Sequence, residues 1–236
     1  MSGLSRRGLM SVLAVPCAAG IVGTSAAAPM SSPAPTPTLR AMSGAKPLQQ
    51  LNGKATALLV IDFQNEYFTG RMPIADASDA VARTKRLLAW ADRHAFPVFQ
   101  IQHVAPAGSA TFAQGGDTVK FHADMQPRAR DTVVQKTTVS VFASTDIAQR
   151  LRSAGVQTLV ITGLMTHACV AGAARDAAVQ GFDVVVSSDA TATRSIRREN
   201  GDTVSHDSLH RAALAEIEDT FGEVLTTAQI LALPVA

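Results

Sequence analysis

Three residues of this sequence carry complementary chemistry for acyl transfer through sulfur: a carboxylate (Asp62), an amine (Lys136) and a thiol (Cys169). A thiolate is a better nucleophile than a thiol, and the pKa of a thiol falls near a cation and at a helix N-terminus. Lys136 supplies the cation, and Asp62 is suited to take the thiol proton and return it to a leaving amine. We therefore expect an acidic Cys169 thiol in a scheme that needs no histidine.

Each of these residues also has a purely structural explanation. An aspartate that ends a strand often forms a turn, a lysine after a strand is usually solvated, and a cysteine in an alanine-rich helix is usually a small core residue. A non-catalytic ligand-binding protein would have a Cys169 of ordinary reactivity. A hydrolase would have a thiol that is alkylated selectively and fast.

The elements that must position these residues alternate between strands and helices. Strands are predicted at 57–61, 97–101, 132–135, 158–162, 183–187 and 222–225. Helices are predicted at 77–94, 144–154, 166–180 and 204–219, before a short final helix. This order predicts an α/β fold, a three-layer α/β/α sandwich around a mainly parallel sheet of about six strands. Because functional groups gather at the carboxyl ends of such strands, Asp62, Lys136 and Cys169 are expected to meet there.

Residues 1–28 have the composition of a twin-arginine export signal. Arg6 and Arg7 precede an apolar stretch and then a run of small residues that suits a signal peptidase. The stretch is too short and too rich in small residues to be a stable membrane anchor. We predict a signal peptide over 1–28, a flexible Pro/Ala/Ser/Thr-rich segment over 29–50 and a hydrolase domain over 51–236. The expected location is periplasmic or secreted.

Composition and charge narrow the function further. The chain has 236 residues, 47% of them hydrophobic and 17% charged, which excludes collagen-like, coiled-coil and wholly disordered classes. The formal charge of +2 comes from Arg6 and Arg7, so no basic surface is expected for nucleic acid. Residues 62–65 stand where a dinucleotide-binding protein would have its glycine motif, and no Cys-x-x-Cys is present for redox chemistry. The expected partner is a small-molecule substrate, without nucleic acid or membrane.

Three motifs in order make the sequence similar to a known family. They are Leu59-Val60-Ile61-Asp62-Phe63-Gln64-Asn65, Lys136-Thr137-Thr138-Val139-Ser140-Val141-Phe142 and Ile161-Thr162-Gly163-Leu164-Met165-Thr166-His167-Ala168-Cys169-Val170. From about residue 55 to residue 231 the chain resembles the isochorismatase-like cysteine hydrolases. The resemblance implies that Asp62, Lys136 and Cys169 form the catalytic triad, and that the subunits assemble as a homodimer or homotetramer.

The same resemblance implies an oxyanion hole and a substrate pocket. The family has a cis peptide before the cysteine, here between Leu164 and Met165, so the N–H groups of Met165 and Cys169 would hold the oxyanion. Four further side chains are predicted from their positions to line or brace the pocket: Gln64, Phe68, Phe142 and His167. The loop at 105–118 is expected at its mouth.

The histidines separate this chain from the metal-dependent branch of the family. Nicotinamidases bind a metal through Asp-x-His and a further His after the second strand, whereas residues 102–107 here lack that pair. His103 and His122 stand alone, so we predict no metal and no cofactor. His94 is expected at a helix end, and His206 and His210 at the surface or in a subunit contact.

Taken together, the sequence predicts an exported, metal-independent hydrolase that cleaves a C–N bond of a small amide, lactam or carbamoyl compound. Two alternatives remain open. One is ether hydrolysis of isochorismate, and the other is a relative of the family that binds a small ligand without catalysis.

Overall fold

Apolar runs form the strands of a central parallel sheet. The computed structural model describes residues 34–236, in which the strands are β1 Thr56–Ile61, β2 Val98–His103, β3 Thr132–Lys136, β4 Thr158–Leu164, β5 Asp183–Ala192, β6 Ile196–Arg197, β7 Thr203–Val204 and β8 Glu223–Leu225. Six of them form the sheet in the order β3-β2-β1-β4-β5-β8, and every neighbouring pair is parallel. Strands β6 and β7 form a separate antiparallel ribbon. Every residue of β1 and β4 is buried, as expected of strands covered on both faces.

Helices cover both faces of this sheet. They are α1 Leu39–Met42, α2 Ala77–Arg93, α3 Val141–Ser144, α4 Ile147–Ser153, α5 Ala171–Val179, α6 His206–Glu216 and α7 Thr227–Ala232. Alternate residues of β1 enter two different cores: Leu58 packs with residues of α2 and α7, whereas Leu59 packs with residues of α3, α4 and α5. The predicted three-layer α/β/α sandwich is therefore confirmed.

Helix α6 is shorter than the predicted helix 204–219, since α6 ends at Glu216 and a π-helical turn, Ile217–Phe221, follows it. Two further predicted helices differ from the observed ones. The predicted helix 166–180 begins instead with a π-helical turn, Thr166–Val170, and continues as α5. The predicted helix 144–154 corresponds to α4 alone, because Thr145 has extended backbone angles that end α3. Both differences lie beside the strand ends where the polar residues are expected.

Residues near the start of the described part of the chain contact the C-terminal part of the domain. The predicted signal peptide lies outside the described residues, and the compact unit begins at Pro37. The Leu39 N–H donates to Asp219 (2.8 Å), the Arg40 guanidinium donates to the Gly222 carbonyl (2.8 Å), and the Leu48 N–H donates to Glu223. These residues therefore contact the last third of the chain, and the flexible segment over 29–50 stays a prediction. Within residues 34–236 no helix has both the length and the apolarity to cross a membrane.

Close approach of β1 and β4 brings their carboxyl ends together. Gly163 in β4 has φ +138°, and a Cβ there would overlap the Ile61 carbonyl of β1. Only glycine fits this approach without moving one strand. The residue after Ile61 is Asp62, and the turn that carries Cys169 follows β4. The packing of these two strands therefore sets the distance between the carboxylate and the thiol.

Candidate active site

The three side chains singled out in the sequence meet at one edge of the sheet. Asp62 follows β1, Lys136 is the last residue of β3, and Cys169 lies in the turn after β4. The Lys136 Nζ lies 2.8 Å from Asp62 Oδ2 and 3.3 Å from Cys169 Sγ. The side chains of Asp62 and Lys136 are 0% exposed. The structure thus brings together a carboxylate, an ammonium and a thiol away from bulk water.

Lys136 is held as a cation at the centre of this group. Its Nζ is also 2.9 Å from His103 Nδ1 and donates to the Thr138 carbonyl at 3.2 Å. Burial lowers the pKa of Lys136, but the negative charge of Asp62 and the hydrogen bonds to Asp62 and Cys169 outweigh burial and raise this pKa overall. The ammonium therefore keeps its proton at neutral pH.

Asp62 combines an unusual backbone conformation with a spare acceptor atom. Its φ is +53°, in the left-handed region that aspartate tolerates better than most non-glycine residues. Oδ2 contacts Lys136, while Oδ1 is enclosed without a hydrogen-bond partner among residues 34–236. A carboxylate oxygen of Asp62 lies within 4.8 Å of the Cys169 Sγ. The spare oxygen makes Asp62 able to accept a proton from the thiol.

The expectation of an acidic thiol is wrong for the resting site. Burial and the charge of Asp62 raise the pKa of Cys169 to about 12, although Lys136 lowers this pKa in part. The cation and the helix N-terminus favour a thiolate, but the loss of solvent and the nearby carboxylate oppose it. The resting site is therefore a thiol beside an ion pair.

The turn that carries Cys169 has the features of an oxyanion site. The Leu164–Met165 peptide is cis, as the resemblance implies. The Met165 carbonyl accepts the N–H groups of Ala168 and Val170, which lie on either side of Cys169. Neither of these two hydrogen bonds uses the Cys169 N–H. Its role with the Met165 N–H as an oxyanion hole stays a prediction.

His210 contacts the same turn, and its place at the surface or in a subunit contact stays a prediction. Its Nδ1 lies 2.8 Å from the buried Thr166 Oγ1, and the ring is half-buried. Burial lowers the pKa of His210, so the imidazole is neutral at neutral pH. His206, four residues earlier, is nearer the surface and pairs with Asp76 at 3.5 Å. The four-residue spacing predicts that the two rings lie on one side of α6, but it does not predict the contact of His210 with Thr166.

The pocket residues predicted from position have different environments. Gln64 is fully buried and donates both amide protons to the carbonyls of His103 and Val119. Phe142 packs in the core against Phe182, at 6.1 Å between centroids. Whether these residues line or brace the pocket stays a prediction, because a position near a strand end does not specify the direction of the side chain.

The other two predicted pocket residues, Phe68 and His167, are half-buried, and each contacts a neighbouring side chain. Phe68 stacks on His122 at 3.8 Å between centroids. The Nδ1 of His167 bonds to the hydroxyl of Thr193, and burial together with the charge of Arg194 lowers the pKa of His167. His94, as expected, caps the C-terminal end of α2.

Three side chains of the site could together bind a metal ion, but the Lys136 ammonium lies among them. Asp62, His103 and Cys169 offer ligand atoms within 4.8 Å of one another. The Lys136 ammonium lies within 3.3 Å of an atom of each of them. A divalent ion at the same place would be repelled by this ammonium at contact distance. The chemistry of these residues is therefore that of an ion pair with a thiol.

Sequence reasoning missed two residues of the site, His103 and Tyr67. His103 pairs with Lys136 in the register of β2 and β3, so extending the predicted second strand by two residues would have found it. Tyr67 is 1% exposed, and burial, with the neighbouring Cys169 and Asp62, raises the pKa of its hydroxyl. No local pattern marks Tyr67, since it lies in a 3-10 turn after the first motif.

A three-layer α/β sandwich with a thiol, a carboxylate and an ammonium at its carboxyl edge defines an α/β cysteine hydrolase. The family model described as "Isochorismatase domain" matches residues 56–229. The chain belongs to the isochorismatase family and is a hydrolase.

Relatives and solved structures agree with this assignment. The chain is 31% identical over 193 residues to the secreted isochorismatase effector Isc1 of Verticillium dahliae, covering 82% of this chain and 98% of that protein. It is 30% identical over 190 residues to maleamate amidohydrolase of Pseudomonas putida, covering 74% of this chain and 84% of that protein. The crystal structure of a cysteine hydrolase from Pseudomonas syringae pv. phaseolicola has a TM-score of 0.74 and 28% identity, covering 79% of this chain and 96% of that one.

Proposed function

We propose that this hydrolase cleaves a C–N bond of a small amide, lactam or carbamoyl compound through an acyl-enzyme on Cys169. One observation carries the proposal: the buried Lys136 ammonium lies 2.8 Å from Asp62 and 3.3 Å from the Cys169 thiol. Nucleophile, base and cation are thus within reach of one another before any substrate enters. Similarity to maleamate amidohydrolase supports amide cleavage.

In the first half of the reaction, Asp62 takes the proton of the Cys169 thiol while Sγ attacks the substrate carbonyl carbon. The carbonyl electron pair moves onto oxygen, and the N–H groups of Met165 and Cys169 stabilise the resulting charge. When the tetrahedral intermediate collapses, the C–N bond breaks and Asp62 gives its proton to the departing nitrogen. A thioester on Cys169 and a free amine result.

Water completes the cycle by the same groups. Asp62 takes a proton from water, whose oxygen attacks the thioester carbon, and the acid is released as the C–S bond breaks. The proton on Asp62 returns to sulfur. Lys136 stabilises the negative charge that moves between Asp62 and Cys169, and the buried setting strengthens this interaction because few water dipoles screen it.

Export and assembly belong to the proposal as well. The twin arginines Arg6 and Arg7, with similarity to a secreted relative, support export through the twin-arginine route. An R6K/R7K double variant is expected to remain in the cytoplasm as full-length chain, and cell fractionation would measure this. We propose a homodimer or homotetramer that takes a small-molecule substrate.

The direct test is release of ammonia or amine from a panel of small amides, lactams and carbamoyl compounds. We expect turnover by the wild-type chain and none above background by Cys169→Ala. The matched control is Ala168→Ser, which alters the neighbouring residue and leaves the thiol in place. Cleavage of an ether substrate with no amide turnover would contradict the proposal, as would equal release by wild type and Cys169→Ala on every compound.

A further inference from the structure

His103 is a fourth polar group at the reacting centre. Its Nδ1 lies 2.9 Å from the Lys136 Nζ, and one of its ring nitrogens lies within 4.8 Å of both Cys169 Sγ and an Asp62 oxygen. Its backbone is fixed on both sides by the buried Gln64 amide, which accepts the His103 N–H and donates to the His103 carbonyl, each at 2.8 Å. The mechanism above gives this residue no role.

The imidazole ring is also fixed in orientation. It stacks on Phe112 with 4.6 Å between centroids and 13° between planes. Phe112 is itself buried: its edge meets Tyr67, and its N–H donates to the buried carboxylate of Glu66. A ring held between this stack and the Lys136 ammonium has little freedom to turn.

The contact with Lys136 decides the tautomer. An ammonium can only donate, so the His103 Nδ1 must accept and the ring proton must be on Nε2. Burial and the charge of Lys136 lower the pKa of His103, which keeps the ring neutral at neutral pH. The ring is half-buried, and Nε2 bonds to nothing within residues 34–236. The Nε2–H of His103 is therefore a fixed hydrogen-bond donor that has no acceptor among the described residues.

We propose that His103 binds the substrate, its Nε2–H donating to a second acceptor atom that is distinct from the scissile carbonyl oxygen. The sheet order supports two separate positions, because β1 lies between β2, which carries His103, and β4, which precedes the oxyanion turn. This inference rests on the proposed function and deepens it. The preferred substrates are small amides that carry a second oxygen acceptor, such as a carboxylate or a ketone, rather than simple alkyl amides.

Two variants separate binding by Nε2 from orientation of Lys136 by Nδ1. His103→Asn keeps an oxygen near the Nδ1 position and loses the distal donor. His103→Gln places an amide N–H near the Nε2 position and loses the acceptor for Lys136. His94→Asn makes the same change in an exposed histidine at the end of α2 and serves as the control.

The substrates are succinamate and 4-oxopentanamide, which have a second acceptor, and butyramide, which has the four-carbon chain of succinamate without that acceptor. Wild type and His94→Asn are expected to favour the first two by about tenfold or more in kcat/KM, since a donor left without its acceptor is costly. In His103→Asn the preference for the two acceptor-bearing amides disappears, with a larger change in KM than in kcat. In His103→Gln the preference is retained and kcat falls.

A preference retained by His103→Asn would overturn the inference while leaving Cys169-dependent hydrolysis intact. A second readout needs no turnover: ¹⁵N spectra of histidine in the full-length Cys169→Ser chain. We expect His103 as the neutral Nε2–H tautomer, with a signal that succinamate shifts and butyramide does not. A proton on Nδ1, or a signal that neither acceptor-bearing amide moves, would overturn the inference. Absence of wild-type turnover would refute only the proposed function.

Discussion

Two carboxylates near the carboxyl ends of the sheet, Asp62 and Asp189, have similar positions and opposite environments. The Oδ1 of Asp189 accepts the Thr227 N–H at 2.6 Å, the Thr227 hydroxyl at 2.7 Å and the Ser187 hydroxyl at 3.3 Å. Asp62 has one ion pair and an enclosed oxygen without a partner among residues 34–236. A structural carboxylate uses its acceptor capacity, whereas a carboxylate that must receive a proton keeps some of it free.

The ionisation of the two sites follows the same difference. Burial raises the pKa of Asp189, but the hydrogen bonds from Thr227 and Ser187 outweigh burial and lower this pKa overall. Asp189 therefore holds its charge through donors from Thr227 in α7 and Ser187 in β5, and its Oδ2 also lies 3.5 Å from the Arg83 guanidinium. The Asp62 carboxylate instead raises the pKa of two neighbouring side chains, Lys136 and Cys169.

The largest expected effect comes from the isosteric change Asp62→Asn. Removing the proton acceptor should lower kcat/KM by about 10²–10⁴, the usual contribution of a general base. The matched change Asp189→Asn should leave kcat/KM within about threefold, because it alters no group at the thiol. Steady-state kinetics on any turned-over amide measures both.

Because Asp62→Asn leaves the Lys136 charge without its partner, it is expected to cost stability as well, by about 3–5 kcal/mol. Asp62→Glu keeps the charge while displacing the oxygens, so it provides a second, more stable variant. It should also lose most activity. Equal kinetics for the Asp62 and Asp189 variants would remove the distinction between the two carboxylates.

A smaller effect is expected on the stability of the Asp189→Asn variant. In Asp189→Asn the charge-assisted bonds from Thr227 become neutral ones, at a cost of about 1 kcal/mol and thus about 2–4 °C in Tm. Thermal unfolding at pH 7 measures this loss. An unchanged Tm would show that the Asp189 network contributes no stability.

The smallest effect is the pH dependence of that contribution. Since the folded pKa of Asp189 is lowered, its stabilisation is present above the unfolded pKa near 3.8 and is lost as pH falls through the folded value. The Tm difference between wild type and Asp189→Asn should therefore be constant from pH 7 to about pH 5 and shrink below about pH 4. A difference that grows in acid would have the wrong sign.

Most of the fold and part of the site could be predicted from the sequence. The apolar runs around Leu59 and Val160 fix the buried strands, and a residue at a strand end, such as Asp62, must lie at the carboxyl edge. His103 was missed because the second strand was predicted to end at residue 101. The contact between Leu39 and Asp219 joins residues 180 positions apart, a distance over which composition carries no information.

The pKa of Cys169 could not be predicted for a different reason. A cation near a thiol lowers its pKa, but burial and a carboxylate act in the opposite direction, and their balance depends on distances that the chain sets only when folded. Gln64 is a similar case. Its residue type suits a ligand contact, whereas its position inside the fold commits its amide to backbone groups.

In the proposed reaction, Cys169 rests as a thiol and gives its proton to Asp62 during attack. The most direct measurement is the pH dependence of Cys169 alkylation by iodoacetamide in wild type and Asp62→Asn, followed by mass spectrometry of the Cys169 peptide. We expect the wild-type rate to rise about tenfold per pH unit without a plateau below pH 10, since the thiol pKa is raised to about 12. In Asp62→Asn the rate at neutral pH should increase while hydrolysis is lost. A wild-type plateau below about pH 8, the range of an acidic thiolate, would contradict the account.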